Sequence, residues 1–134
     1  MTVVDASAIV DLLVPPDATR RDLLIAELPE PAAPWLAPDI LMFEVFAVLR
    51  RHSLRGLLSE AAAGRGLQRL QRLPIELLPT ASLLGAAWSL RDSFSAADAL
   101  YAALALRAAE PLLTTDLRLA HAATAAGVEV RSPA

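Results

Sequence analysis

Thr2-Val3-Val4-Asp5-Ala6-Ser7-Ala8-Ile9-Val10-Asp11-Leu12-Leu13 decides the kind of fold. An apolar run of strand length, Thr2–Asp5, stops at a carboxylate, and a helical pattern over Ser7–Leu13 follows at once. The same order returns near the other end. There Pro111–Thr114 reads as a strand, Asp116 follows it, and a helix runs to Gly127. Short apolar runs at Trp35–Ala37, Ile75–Leu78 and Val128–Arg131 bring the total to about five strands. Longer helical patterns lie between them. Thr19–Leu28 follows the break at Pro15-Pro16, and Asp39 is placed to cap a helix reaching about Arg55, with Gly56 at its end. Ser59 caps another that stops before Pro74, and Ser82–Arg91 and Ala96–Ala109 form a pair. Such alternation predicts an α/β domain with a parallel sheet.

At 134 residues the chain is expected to be one domain, 1–134, with a single core. Its 55% apolar content is high for a soluble domain, and the surplus is compatible with an oligomer or partner surface. No apolar run reaches the roughly 18 residues of a membrane helix, and no signal peptide is legible, so a cytoplasmic location is expected. Cysteine is absent, which removes disulfides, thiolate zinc sites and cysteine nucleophiles. Lysine is absent too: all 12 basic residues are Arg. A Walker-type phosphate loop, which needs Gly-Lys-Ser/Thr, is therefore excluded. With only His52 and His121, and no His-Glu-x-x-His pattern, metal chemistry has to rest on carboxylates, and oxygen-only sites favour Mg²⁺ or Mn²⁺. The net charge of −3 decides nothing about nucleic acid, because clustered acids that bind cations would invert the local sign.

Four acids stand in apolar company: Asp5, Glu44, Asp98 and Asp116. A carboxylate is rarely buried unless something pairs with it, and one shared cation would serve all four. Each has a plainer reading. Ser95-Ala96-Ala97-Asp98 is a capping box, Asp116 sits at a helix start, and Asp5 suits a turn. Glu44 resists such readings, since it interrupts Ile40-Leu41-Met42-Phe43 and Val45-Phe46-Ala47-Val48-Leu49, and the residue one turn on is Val48. In open α/β sheets ligands bind beyond the carboxyl ends of strands where strand order reverses. If the first and fourth strands are neighbours, Asp5 and Asp116 meet there. Ser7 and Thr114 are candidate supporting hydroxyls for a carboxylate or a metal-bound water, with local backbone bonds as the equal alternative. Arg51 and Arg55 fall within about 20° of the Glu44 face and are candidate phosphate contacts, although a solvated helix face is the commoner fate. His52 turns away from that face. Trp35 and Trp88 are expected in the core.

In order along the chain stand Val3-Val4-Asp5-Ala6-Ser7-Ala8, Pro38-Asp39-Ile40-Leu41-Met42-Phe43-Glu44-Val45, Ser95-Ala96-Ala97-Asp98-Ala99-Leu100-Tyr101-Ala102-Ala103-Leu104-Ala105 and Leu112-Leu113-Thr114-Thr115-Asp116-Leu117-Arg118-Leu119-Ala120. Together they resemble the PIN-domain family, and more narrowly the VapC ribonuclease toxins of toxin–antitoxin modules. The resemblance implies a three-layer α/β/α domain around a parallel sheet, and Mg²⁺- or Mn²⁺-dependent cleavage of RNA. It places the catalytic and metal-binding acids at Asp5, Glu44, Asp98 and Asp116, with Ser7 and Thr114 matching the family's hydroxyl positions. It also implies a homodimer and a VapB-type antitoxin that obstructs the acidic cleft. Phe46 departs from the pattern, standing where the family often has a small residue. Oxygen ligands holding hard cations would polarise a phosphodiester and acidify a water for in-line attack. Two other readings stay open: a flap-type nuclease acting on structured DNA or RNA, and a non-catalytic module whose acids dock an arginine-rich partner.

Overall fold

The computed structural model describes residues 1–27 and 34–133. Its elements alternate as β1 (Thr2–Val4), α1 (Ala6–Leu13), α2 (Ala18–Glu27), β2 (Trp35–Pro38), α3 (Ile40–Leu54), α4 (Glu60–Leu70) and β3 (Ile75–Leu78). A single turn of 3₁₀ helix at Thr80–Leu83 leads into α5 (Leu84–Ser89), followed by α6 (Ala96–Ala108), β4 (Leu112–Leu113), α7 (Leu117–Ala125) and β5 (Val130–Arg131). All five strands are parallel, in the order β3-β2-β1-β4-β5. Right-handed crossovers put α1–α4 on one face and α5–α7 on the other. Packing agrees: α1 touches α2, α3 and α4, while α6 lies against α5, β1, β2 and β4. This is the expected α/β/α sandwich.

The chain leaves β2 and β3 in one direction and returns in the other to form β4, so strand order reverses between β1 and β4. Register then fixes who meets whom. Val4 pairs with Leu113, so the next residues, Asp5 and Thr114, face each other just past the carboxyl ends of the strands. The helices α1, α3, α6 and α7 all start at this edge, because each either follows a strand or runs antiparallel back toward the next one.

The core is aliphatic. Ile9, Leu13, Leu41, Val45, Leu49, Leu104, Leu112 and Leu119 are buried, and the stripe Leu41-Val45-Leu49 recurs at the four-residue helical spacing. Helix α6 is buried nearly all round from Ala99 to Leu104, which its alanines permit by letting neighbours approach closely. Gly66 on α4 serves the same end, since a Cβ there would stand 3.3 Å from a Leu49 methyl.

Several element ends differ from expectation for identifiable reasons. The first strand stops at Val4 because Asp5 turns its carboxylate back to cap α1, accepting from the Ala8 N–H at 2.9 Å. The last strand begins at Val130 rather than Val128. Gly127, with φ +91°, donates to the Thr124 carbonyl and Val128 to that of Ala123. This Schellman closure of α7 commits Val128 to the helix end. Asp39 does not cap α3. It adopts αR backbone itself, and its carboxylate takes both the N–H and the hydroxyl of Thr80, which holds it below its usual pKa. Ser59 caps α4 as anticipated, accepting from Ala62 N–H at 3.1 Å. Leu28, expected at the end of the second helix, lies outside the described residues. Trp35 is buried, but Trp88 is not: 68% of it is exposed, against the core placement expected for it. Its helix, α5, is only six residues long and packs Ala87, not the indole, inward.

Candidate active site

Each of the four acids sits at or near a helix start. Asp5 and Asp116 are the N-caps of α1 and α7, Asp98 lies in the first turn of α6, and Glu44 in the second turn of α3. Helix starts present unpaired N–H groups and positive dipole ends, so the fold gathers partial positive charge where it gathers carboxylates. Glu44, Asp98 and Asp116 line one cleft of about 400 Å³, together with Ser93, Phe94 and Arg118. Asp5 lies behind it, 3% exposed.

Asp5 is bound from three sides. Ser7 Oγ donates to its carboxylate at 2.8 Å, Thr114 Oγ1 donates to Oδ2 at 2.6 Å, and the Ala8 N–H reaches Oδ1. The Asp116 N–H donates to Thr114 Oγ1 at 3.0 Å, and the Thr115 N–H to Ser7 Oγ at 3.0 Å. Ser7 and Thr114 thus bond the carboxylate and not only local backbone, tying α1 to the end of β4. Burial pushes the Asp5 carboxyl up from 3.8 to about 6; the Thr114 bond is the largest opposing influence, and the Asp116 charge adds to the rise.

Glu44 and Asp98 are half-buried, and burial raises both carboxyls above their ordinary values. For Glu44 the bond from Tyr101 opposes the rise and the Asp98 charge adds to it. For Asp98 the Ser95 hydroxyl opposes it and Asp116 adds to it. The four acids therefore feel one another as a group. Two of the four are caps as well: Asp5 accepts from the Ala8 N–H, and Asp116 Oδ1 from the Arg118 and Leu119 N–H groups. At α6 the cap is Ser95, whose Oγ accepts from the Asp98 N–H at 3.3 Å. Capping fixes where the Asp5 and Asp116 carboxylates stand.

Two residues at the site escaped sequence reasoning. Tyr101, 1% exposed, donates from its hydroxyl to Glu44 Oε1 at 2.7 Å, and burial, with the carboxylate beside it adding to the effect, drives the phenol far above its usual pKa. It follows Asp98 by one helical turn, so its face was predictable from spacing. Arg118, two residues after Asp116, is the cation that lines the cleft. Arg51 and Arg55 do not line it. Both are exposed, about 10 and 16 Å further along α3 than Glu44 at 1.5 Å per residue. Phe46 is also exposed and lies outside the cleft lining, as does His52.

The donor set suits a hard divalent cation: oxygen only, with mutual repulsion that a cation would relieve. Among the described residues no three acidic or histidine side chains close into a ready-made ligand cage. Mg²⁺ commonly keeps several waters and takes only one or two carboxylates directly, so the open spacing suits such an ion.

A family model described as "PIN domain" matches residues 2–125. The chain is 42% identical over 120 residues to the protein named Ribonuclease VapC3 of Mycobacterium tuberculosis (strain ATCC 25618 / H37Rv), covering 90% of this chain and 85% of that one. It is 37% identical over 119 residues to Ribonuclease VapC9 of the same organism, covering 89% and 88%. Among solved structures, the M. tuberculosis toxin VapC20, described as cleaving the sarcin–ricin loop, superposes with a TM-score of 0.71 at 21% identity, covering 98% of this chain and 99% of that one.

Proposed function

The chain belongs to the PIN domain family, in its VapC ribonuclease branch, and on that premise we propose that it is a metal-dependent endoribonuclease acting as the toxin of a toxin–antitoxin pair. The observation that carries the reading is the convergence of Glu44, Asp98 and Asp116 on one cleft, with Asp5 behind them at the sheet's reversal point.

In this reading Asp98, Asp116 and Glu44 would hold Mg²⁺ or Mn²⁺, one or two of them directly and the rest through its waters, and Asp5 would add its charge from behind. Bound there, such an ion would supply charge neutralisation at the phosphodiester and acidity for a water. The protein's own groups do the rest. Ser7 and Thr114 orient Asp5, and Tyr101 fixes the Glu44 carboxylate by its hydrogen bond. Arg118, with its bidentate guanidinium, pairs with a phosphate oxygen of the RNA. A VapB-type antitoxin would silence the site by filling the acidic cleft, and a homodimer is the assembly proposed. A cytoplasmic setting is proposed with the toxin role; no helix among the described residues is long and apolar enough to cross a membrane.

The test is cleavage of single-stranded RNA by the purified protein with Mg²⁺ or Mn²⁺, beside Asp5→Asn and Asp98→Asn. Wild type should cut, and both variants should lose at least about 100-fold in rate, the scale of a lost charge-stabilising group. Equal cleavage by all three would remove the proposal. Preference for flap DNA over RNA would replace it with a structure-specific nuclease.

A further inference from the structure

Phe94 stands between two cavities. On one side it lines the carboxylate cleft with Asp98 and Arg118; on the other it lines an apolar trough of about 370 Å³ with Trp88, Arg91 and Leu100. We propose that Trp88 and Arg91 form a nucleobase-stacking subsite that receives an unpaired RNA base beside the phosphodiester held at the carboxylates. The proposal rests on the ribonuclease reading above and names what that site selects.

The Arg91 guanidinium carbon lies 4.6 Å from the centroid of the Trp88 ring, yet 68% of Trp88 remains exposed. With the cation over one face of the indole, exposure on that scale leaves the other face open. Arg91 is also held in place, because its Nη1 donates to the Trp88 carbonyl at 2.9 Å. A guanidinium anchored by one nitrogen keeps its remaining N–H groups for a phosphate or a base edge. An open aromatic face beside an arginine is the chemistry that binds single-stranded nucleic acid: bases stack on the ring and the cation pairs with the backbone. The trough floor, with Leu84, Ala87 and Leu100, suits the flat apolar face of a base.

Continuity with the acidic cleft selects this occupant over others. Ser93-Phe94-Ser95 separates the two cavities, and Ser95 begins the helix whose first turn carries Asp98. A nucleotide strand whose phosphate lies between Asp98 and Arg118 would place a neighbouring base against Phe94 and the open face of Trp88. Stacking tolerates any base, so this subsite selects for unpaired RNA more than for sequence.

The two tryptophans make the test direct, since Trp35 is buried and Trp88 exposed. An RNA oligomer, single-stranded, is titrated into the full-length protein in EDTA, where no cutting occurs, while tryptophan emission and RNA anisotropy are followed. The expected result is quenching of the red-shifted emission on binding, and about 10-fold weaker RNA affinity for Trp88→Ala. Trp88→Tyr should recover most of that loss, and with divalent cation Trp88→Ala should raise KM far more than it lowers kcat. Unchanged circular dichroism and melting would show that the exposed position leaves the fold intact. Cleavage with RNA affinity indifferent to Trp88 would overturn the subsite while leaving the nuclease reading standing. Quenching by RNA in a protein that never cuts would support the subsite and remove the nuclease reading. Emission that changes on dilution, with Trp88→Ala abolishing self-association and RNA without effect, would overturn the subsite in favour of an interface between copies.

Discussion

Thr114→Val removes one hydroxyl and keeps the shape. In the folded protein that hydroxyl donates to Asp5 Oδ2 at 2.6 Å, accepts from the Asp116 N–H at 3.0 Å, and lies 3.2 Å from Ser7 Oγ. Thr114 and Asp5 are both buried, so water cannot replace the bond between them. A hydrogen bond to a charged acceptor contributes about 1.5–3 kcal/mol and the part-buried bond from the Asp116 N–H about 0.5–1.5 kcal/mol, so the loss at alkaline pH should be about 2–4.5 kcal/mol. The cost should depend on pH. The folded-state pKa of Asp5 is raised from 3.8 to about 6, so the fold is most stable with Asp5 protonated and loses stability as pH rises from about 4 through 6. Thr114 is the main brake on that rise. Without it the pKa moves higher and the loss of stability extends to higher pH. Urea unfolding of both proteins in EDTA should therefore give a smaller difference at pH 4.5, about 1–2 kcal/mol, than at pH 8. Equal differences at the two pH values would refute the account of Asp5 as a buried carboxylate held by Thr114.

Three further outcomes follow from the same geometry. Wild type without cation should lose about 3 kcal/mol of stability between pH 4 and pH 7 from Asp5 alone, at about 1.4 kcal/mol per pH unit, and millimolar Mn²⁺ at pH 7 should raise the melting temperature; a flat profile insensitive to Mn²⁺ contradicts it. Tyr101→Phe removes the donor to Glu44, so the Glu44 carboxyl should rise further and the acid limb of the cleavage profile should move to higher pH; an unmoved limb would show that Glu44 does not titrate in the reaction. Gly64→Ala, in the middle of α4 with nothing within 4 Å of the new methyl, should stabilise the fold by about 0.5–1 kcal/mol without changing cleavage.

The sheet and the four acids were legible because each acid interrupts an apolar context at a strand or helix end, where one residue decides the local structure. Asp5, Asp98 and Asp116 could be read as caps and as site residues; Asp5 and Asp116 do cap their helices, whereas Ser95 caps α6, and Asp98 and Asp116 line the cleft. What sequence could not supply was partnership across distance. Tyr101 looked like one more core residue of an alanine-rich helix, and its partner Glu44 lies 57 positions away. Asp39 looked like a cap until Thr80, 41 positions on, took its carboxylate. Arg51 and Arg55 share a helical face with Glu44, but rise along the axis takes them away from the cleft, whereas Arg118 is carried into it by the turn after β4. Trp88 was placed in the core on residue type alone. Its partner Arg91, three positions on, was the local sign of a surface pair.

The most direct test of the central claim is calorimetric titration with Mn²⁺ of wild type, Asp98→Asn and Asp116→Asn at pH 7. If the carboxylates share a cation, wild type takes it up and each variant loses most of the affinity while keeping its fold. Undiminished uptake by both variants, or no uptake by the wild type, would contradict a shared cation and leave the acids without a common ligand.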